Sequence, residues 1–177
     1  MESTTFKEIW DTLSKIDCSD KVEKKNGLTY LSWAWAWGIT MNHFPDAQYE
    51  IRQWNDKPYL LDDLLGIMVE VKVSIKGNSR SMLLPVMDGS NKAQKIQRYS
   101  YFVDEWINKQ KTGKKIEKFV ESATMFDINT ATMRCLVKTL AMFGLGHYIY
   151  AGEDLPTIPQ EQKEPTDYYI PGSNNTN

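Results

Sequence analysis

The sequence predicts an α+β fold in which an antiparallel β-hairpin sheet packs against a long C-terminal helix, with additional helices near the N-terminus. Three observations predict this class. Apolar residues recur with a helical period in the first 45 residues, and the middle of the chain alternates apolar and polar side chains as strands do. A second long helical pattern then runs over about residues 123–143.

Length and composition predict one domain followed by a tail. The 177 residues are 41% hydrophobic and 12% aromatic, which is enough for one good core, and we assign that core to residues 1–156. Residues 157–177, rich in Pro, Asn, Thr and acids, are expected to be a disordered acidic tail. The chain has no long apolar run and no signal-peptide pattern, so we expect a cytoplasmic protein that does not contact membranes.

The first helix is predicted over Phe6–Ile16, where apolar residues repeat every three or four positions. A loop follows, with Asn26-Gly27 as its turn signal and Lys24 and Lys25 as its cations. The loop therefore offers two positive charges to a ligand.

The segment Leu31–Pro45 allows two interpretations. Its Trp/Ala alternation is typical of a strand, whereas Ser32 suits an N-cap and Pro45 suits a helix stop. We predict the helix, with Trp33 and Trp37 buried and Trp35 on the opposite side, lining a subunit contact or a DNA groove. The alternative, that all three indoles only pack, has equal weight because tryptophan is first of all a large apolar residue.

Four strands are predicted next, and Gly77-Asn78 is the expected turn between the last two. They are Gln48–Trp54, Tyr59–Leu61, Ile67–Ile75 and Arg80–Val86. Within 67–75 the odd positions are apolar and the even positions are polar from Glu70 onward, which indicates a sheet with one wet face.

Residues 88–120 have weak periodicity and hold eight Lys or Arg against four Asp or Glu. We interpret them as a long, mobile, basic excursion within the domain, since loops of that length are usually functional or disordered. Lys92, Lys95 and Arg98 are candidates to clamp a second DNA strand, the alternative being simple solvation. Asp88-Gly89 is interpreted as turn chemistry, not as part of a metal site.

The last helix carries Arg134 and Lys138 one turn apart. Like charges at this spacing cost a few tenths of a kcal/mol unless an anion lies between them, so we predict that they bind the phosphates of single-stranded DNA. The alternative is an ordinary solvated face. With small alanines on the same stripe, the helix would leave room for a polynucleotide. The stripe comprises Asp127, Ala131, Arg134, Lys138 and Ala141.

Several function classes are disfavoured. The two cysteines and two histidines have no metal-ligand spacing, no Gly-Lys-Ser/Thr phosphate loop follows Gly144 and Gly146, and no carboxylate cluster suits two metal ions. We therefore expect no enzyme, no metal and no cofactor.

Over residues 5–156 the chain resembles the phage-encoded single-strand annealing proteins of the Sak/Erf kind. The resemblance rests on the blocks 30–37, 84–89, 124–129 and 134–156. The last helix, with Lys138 five residues before Phe143-Gly144, is also similar to the DNA-groove helix of the eukaryotic recombination-mediator annealing proteins.

The resemblance implies an oligomeric ring or arc that holds single-stranded DNA in a basic groove without ATP, with Lys138 as a phosphate-binding cation. It implies phage recombination in a bacterial host, with a host single-strand-binding protein or a phage exonuclease as candidate partners. The alternative function is a single-stranded DNA-binding protein that protects DNA without annealing it.

Overall fold

The computed structural model describes residues 5–25 and 28–151, except for the side chain of Lys25. The α-helices in these ranges are α1 (Phe6–Leu13), α2 (Trp33–His43) and α3 (Met125–Ala141). The strands are β1 (Val22–Lys25), β2 (Leu28–Leu31), β3 (Gln48–Ile51), β4 (Leu60–Asp62), β5 (Gly66–Ile75), β6 (Asn78–Pro85), β7 (Tyr99–Ile107) and β8 (Gln110–Val120). Short 3-10 helices span Ser19–Lys21 and His147–Tyr150. The α+β class with antiparallel pairing and a C-terminal helix is confirmed. The predicted disordered tail, 157–177, lies outside the described residues.

The central sheet is built around β5. It pairs antiparallel with β3 and β4 along one edge and with β6 along the other. The β5–β6 turn is formed by Lys76 and Gly77, which both have positive φ, and Ile75 pairs with Asn78. The turn therefore lies one residue earlier than the sequence predicted, because a two-residue hairpin loop needs positive φ at both central positions.

The core lies between this sheet and α3. Val69, Val71 and Val73 are fully buried on one face of β5. The Thr139 hydroxyl of α3 donates to the Val71 carbonyl (3.3 Å), and the Cys135 thiol donates to the Met82 carbonyl (3.1 Å). These contacts fix the helix on β5 and β6.

The opposite face of the sheet is polar, as the alternation in β5 predicted. Arg52 pairs with Glu70 at 3.0 Å, and Lys72 pairs with Glu50 at 3.5 Å. The first pair joins β5 to Arg52, the residue after β3, and the second joins β5 to β3 itself. Such partly exposed pairs contribute little stability, so the buried face dominates the energetics of the sheet.

The end of α3 is held by α1. The rings of Phe6 and Phe143 lie 5.8 Å apart, between centroids. Gly144 has a φ of +111°, and a Cβ there would come within 3.0 Å of the Trp10 carbonyl oxygen and the Ser14 nitrogen. Only glycine allows this close crossing of the two chain segments.

The helix predicted at Leu31–Pro45 is confirmed as α2, and Ser32 is its N-cap. The predicted burial of the indoles is wrong for Trp33, which is 46% exposed, while Trp35 and Trp37 pack partly buried against the core. The side chains that α2 buries fully are small, Ala36 and Thr40. Small residues let a helix lie close to its neighbours, which leaves the large indoles at its flanks.

Residues 99–120 are not the irregular excursion that the sequence predicted. Here β7 and β8 form a long antiparallel hairpin, called the arm below, with a register irregularity between Asp104 and Trp106. The arm residues are mostly exposed or half-buried, and Val120 at its base is fully buried. Without a buried face nothing imposes a clean alternation on the sequence, which is why the strands were missed. The mobility of this region stays a prediction.

Within the described ranges, no helix has the length and apolarity needed to span a membrane.

We predict that both cysteine thiols react slowly in the folded protein. Cys18 and Cys135 are fully buried, and burial raises the pKa of each thiol to about 11. Relative to the ordinary value of 9.0, this alone lowers the thiolate fraction by about 100-fold. A chromogenic disulfide reagent in mildly alkaline buffer measures the rates, with the denatured chain as control. Rapid labelling of either thiol in the folded protein would contradict this packing.

Candidate nucleic-acid interface

The helix α3 begins with a reciprocal cap. The Asp127 carboxylate accepts hydrogen bonds from the backbone N–H of Thr124 (2.8 Å) and from its hydroxyl (2.6 Å). The Thr124 side chain in turn accepts from the Asp127 N–H. The cap fixes where the helix starts and therefore which residues face away from the sheet.

Arg134 lies on the side of α3 that faces β2. Its guanidinium carbon is 5.1 Å from the centroid of the Tyr30 ring. A guanidinium over an aromatic face is attracted to the ring without losing its charge. The contact holds Arg134 in a defined position.

A cleft of about 230 Å³ opens beside this pair, between α3, β2 and the start of α2, and we call it the Arg134 cleft. Apolar side chains form part of its wall, and Asn129 and Thr130 are exposed polar groups on it. Its lining is Tyr30, Leu31, Trp33, Asn129, Thr130, Met133, Arg134, Val137 and Tyr150. The arrangement combines aromatic surface, one cation and two neutral polar groups.

A smaller cleft of about 60 Å³ is also lined by Arg134 and Tyr30, together with Asp127 and Asp88. The Asp88 carboxylate accepts from the backbone N–H of Ser90 (2.8 Å) and of Lys92 (2.9 Å), which confirms the turn interpretation of this aspartate. The same turn carries Lys92. Arg134 therefore lies at the junction between the larger cleft and the segment that leads to the arm.

Lys138 does not lie on an open stripe, contrary to the sequence prediction. It is only 8% exposed, and its Nζ is 5.3 Å from the centroid of the Tyr150 ring. Tyr150 belongs to the 3-10 helix that folds back after α3. That turn is pinned because the Tyr148 hydroxyl accepts from the Cys18 N–H (2.8 Å) and donates to Asp17 (3.3 Å). Ala131 is also buried, so the open part of α3 is the flank of Arg134.

The predicted cations of the first loop lie on the β1–β2 hairpin. Lys24 is exposed and pairs with Thr29, whereas Glu23 pairs with Tyr30. Since successive residues of a strand point to opposite faces, Lys24 is on the face away from Tyr30. The structure therefore does not direct Lys24 into the Arg134 cleft. Lys25 closes β1, and its side chain lies outside the described residues.

Lys92, Lys95 and Arg98 each lie over an aromatic ring at the base of the arm. Tyr99 and Tyr101 share one face of the arm, whereas Phe119 pairs with Ser100 on the other, so Arg98 lies on the opposite face from the two lysines. Lys92 is 5.1 Å from the Tyr101 centroid, and Lys95 is 5.0 Å from the Tyr99 centroid. Arg98 is 4.0 Å from the Phe119 centroid and also pairs with Glu121 at 3.0 Å. These aromatic partners on β7 and β8 were missed in the sequence, where Tyr99, Tyr101 and Val103 give a short alternation that does not continue through the rest of the arm.

The outer part of the arm combines ion pairs with exposed rings. Lys111 and Lys115 bind Asp104 at 2.8 and 2.7 Å, and hydrogen bonds from both ammonium groups lower the pKa of that carboxyl to about 2. Phe102 is 65% exposed and Trp106 is 58% exposed. Two lysines thus share one carboxylate here, and the unusual feature is the apolar surface beside them.

Trp35, the predicted groove residue, packs partly buried against the core and is not part of the Arg134 cleft. Trp33 occupies that position instead. Sequence reasoning also missed Tyr30, Asn129, Thr130 and Tyr150, which become neighbours of Arg134 only through the tertiary fold. In the described part of the chain, no group of three or more His, Cys, Asp or Glu side chains is arranged to hold a metal ion.

A comparison with curated protein sequences gave no match. The sequence model of the Sak single-strand annealing protein matches residues 7–175, almost the entire chain. The resemblance found in the sequence is thereby confirmed. The chain belongs to the Sak family of single-strand annealing proteins, which anneal single-stranded DNA in recombination.

Proposed function

We propose that this protein anneals complementary DNA strands in phage recombination without ATP, as a homo-oligomeric ring or arc. It holds the sugar-phosphate backbone at the Arg134 cleft and leaves the pairing edges of most bases free. The observation that carries the proposal is the position of Arg134, held over Tyr30 at the junction of two clefts in a chain of this family.

An annealing protein has to reduce the repulsion between two polyanions without reading sequence. Cations that contact phosphate do this, and contacts to base edges are not required. Arginine suits the task because its planar fork can bind a phosphate through two parallel hydrogen bonds. Arg134 supplies the fork, and the Lys138 ammonium lies one turn further along the same helix, beneath Tyr150.

The reaction needs no nucleotide hydrolysis, because pairing is downhill. Duplex stacking releases about 1.4 kcal/mol per base-pair step on average. The protein therefore only has to bring strands together and lower the barrier. We assign no catalytic residue.

The base of the arm is the candidate site for the second strand. Lys92, Lys95 and Arg98 lie there on three different rings, and the turn that starts at Asp88 connects them to the Arg134 side of the molecule. A strand at the arm and a strand at the cleft would then be held by the same protomer. In this proposal the cations of the cleft hold the first strand, and those at the base of the arm hold the second.

The arm supports the proposal of an oligomer. A two-stranded hairpin alone is marginally stable in water, and the arm exposes Phe102, Trp106, Ile107 and Phe119. Exposed apolar surface of this kind is typical of protein contacts. We propose that a neighbouring copy of this chain covers the apolar surface of the arm.

The competing function is single-stranded DNA protection without annealing, which the same cations would support. A strand-pairing assay with labelled complementary oligonucleotides, in buffer free of nucleotide and magnesium, separates the two. Annealing faster than in the protein-free control supports our proposal. Tight binding with no acceleration would favour the protection function.

We predict that Arg134→Ala weakens binding to single strands of every sequence. Each phosphate contact contributes about 0.7 to the slope of log affinity against log salt, so the slope should fall by about that amount. Adding Lys138→Met, which removes the charge and keeps the buried stem, should lower the slope by a smaller further step, because the ammonium lies beneath Tyr150 and Lys138 is only 8% exposed. Fluorescence anisotropy at several salt concentrations measures the slopes. Lys72→Ala, on the polar face of the sheet, is the control, and an unchanged slope in the double variant would refute the groove.

We predict that replacing Lys92, Lys95 and Arg98 together by alanine slows annealing more than it weakens binding of the first strand. The reason is that these cations are assigned to the second strand. The annealing rate and the single-strand affinity are measured on the same preparation. The matched control replaces three exposed lysines elsewhere, Lys7, Lys15 and Lys72. Equal losses of rate in both triple variants would count against a specific clamp.

We predict that Phe102→Ser with Trp106→Ser reduces the size of the assembly, because it removes apolar surface from the arm. Light scattering after size-exclusion chromatography gives the mass. Leu64→Ser with Leu65→Ser is the control, since both leucines are even more exposed (77% and 75%) but lie in the β4–β5 turn. An unchanged mass in the arm variant would remove the arm from the interface.

A further inference from the structure

We propose that the Arg134 cleft takes up one unstacked nucleobase of the bound strand per protomer. This inference rests on the proposed function and adds a second kind of ligand group, a nucleobase, to the same site. Arg134 contacts the phosphate, and the cleft beside it holds a planar aromatic ring system. The base stacks on Tyr30 or Trp33, and its edge meets Asn129 and Thr130.

The size of the cleft fits one base and not a stack of bases. At about 230 Å³ it lies below the range of about 300–1,000 Å³ in which drug-sized ligands bind. Its composition is that of a small-molecule site, with apolar wall residues such as Leu31 and Val137 and a few polar groups. The smaller cleft on the other side, about 60 Å³, is too small for a base.

The aromatic residues of the cleft supply stacking surface. Tyr30 is held in place by Arg134, and Trp33 is 46% exposed in the first turn of α2, which places a large apolar side chain in water in the free protein. Tyr150 lines the same cleft. Single-strand binders use such rings as platforms, because every base has a π face and stacking tolerates any sequence.

The polar groups of the cleft match the edge of a base without selecting one. The Asn129 side chain both donates and accepts, as does the Thr130 hydroxyl, and both residues are exposed. All four bases present donors or acceptors at their edges, so these two groups can pair with any of them. The neighbouring Arg134 adds the charge that a phosphate requires.

A base in the cleft cannot pair, so the bound strand should show a repeating pattern. Of the nucleotides that each protomer binds, one has its base in the cleft and cannot pair. The others remain available to the complementary strand. An alternative occupant of the same cleft is an apolar side chain from a neighbouring copy. The experiment below includes that outcome.

The test compares an oligothymidylate with an abasic oligonucleotide of equal length, using the full chain at constant salt. Stacking of one base should make the oligothymidylate bind about 5- to 150-fold more tightly than the abasic strand. Thr130→Trp, at an exposed rim position, fills the cleft and should bring this ratio down toward one. Ser81→Trp, on the far face of the sheet, is the matched control.

A ratio that stays the same in Thr130→Trp overturns the base site and leaves the proposed function intact, because backbone binding persists. Failure of the unaltered protein to bind either strand overturns both. A drop in assembly mass in Thr130→Trp would mean that a neighbouring copy fills the cleft, which also overturns the inference.

A second readout does not depend on the folding of a variant. Photo-crosslinking of an oligonucleotide that carries 5-iodouracil, followed by mass spectrometry, should locate the adduct on Tyr30, Trp33 or Tyr150. Adducts confined to Phe102 and Trp106 of the arm would place the stacked base elsewhere and overturn the inference.

Discussion

The packing of α3 on β5 and β6 is the constraint on which the rest of the structure depends. Leu136 and Leu140 are fully buried in it, and truncating such residues usually costs about 2–5 kcal/mol. Because β2, α2 and the C-terminal 3-10 helix lie around the other sides, little of α3 reaches the surface. The flank that carries Arg134 is open, and both clefts lie along it. The same burial that fixes the core thus leaves Arg134, and not Lys138, on the open flank of α3.

The cations of the proposed DNA surface share one feature, which is that each lies over an aromatic ring. Arg134 contacts Tyr30, Lys138 contacts Tyr150, and the base of the arm repeats the arrangement three times. An aromatic face orients a cation and leaves its net charge intact, whereas a carboxylate neutralises it. In the arm the two kinds of contact are combined, because Arg98 also pairs with Glu121, and Lys111, which lies over Trp106, shares Asp104 with Lys115. In the proposed function, these rings orient the cations that meet phosphate.

Much of the fold could be predicted because one-sided burial leaves a pattern in the sequence. The strand β5 has a buried face and a solvent-exposed face, so its alternation could be recognised in the sequence, and so could the N-cap of α2. The arm has no such face, so its strands left no clear period. In the site, the spacing of Arg134 and Lys138 was visible, but the burial of Lys138 was not. That burial depends on Tyr150, which lies over Lys138 because the chain folds back after α3. No local sequence pattern predicts this contact.

The modest charge of the chain limits how it can hold DNA in the proposed function. With a net charge of −2, the protein cannot hold DNA by a dense coat of cations, and a few oriented contacts have to suffice. Those contacts act on single strands and duplex alike, since both carry phosphate. A base site discriminates between them, because a paired and stacked base can enter the cleft only at the cost of unstacking. If the cleft holds a base as we propose, pairing withdraws bases from the cleft, and the duplex is held less tightly than the strands that formed it.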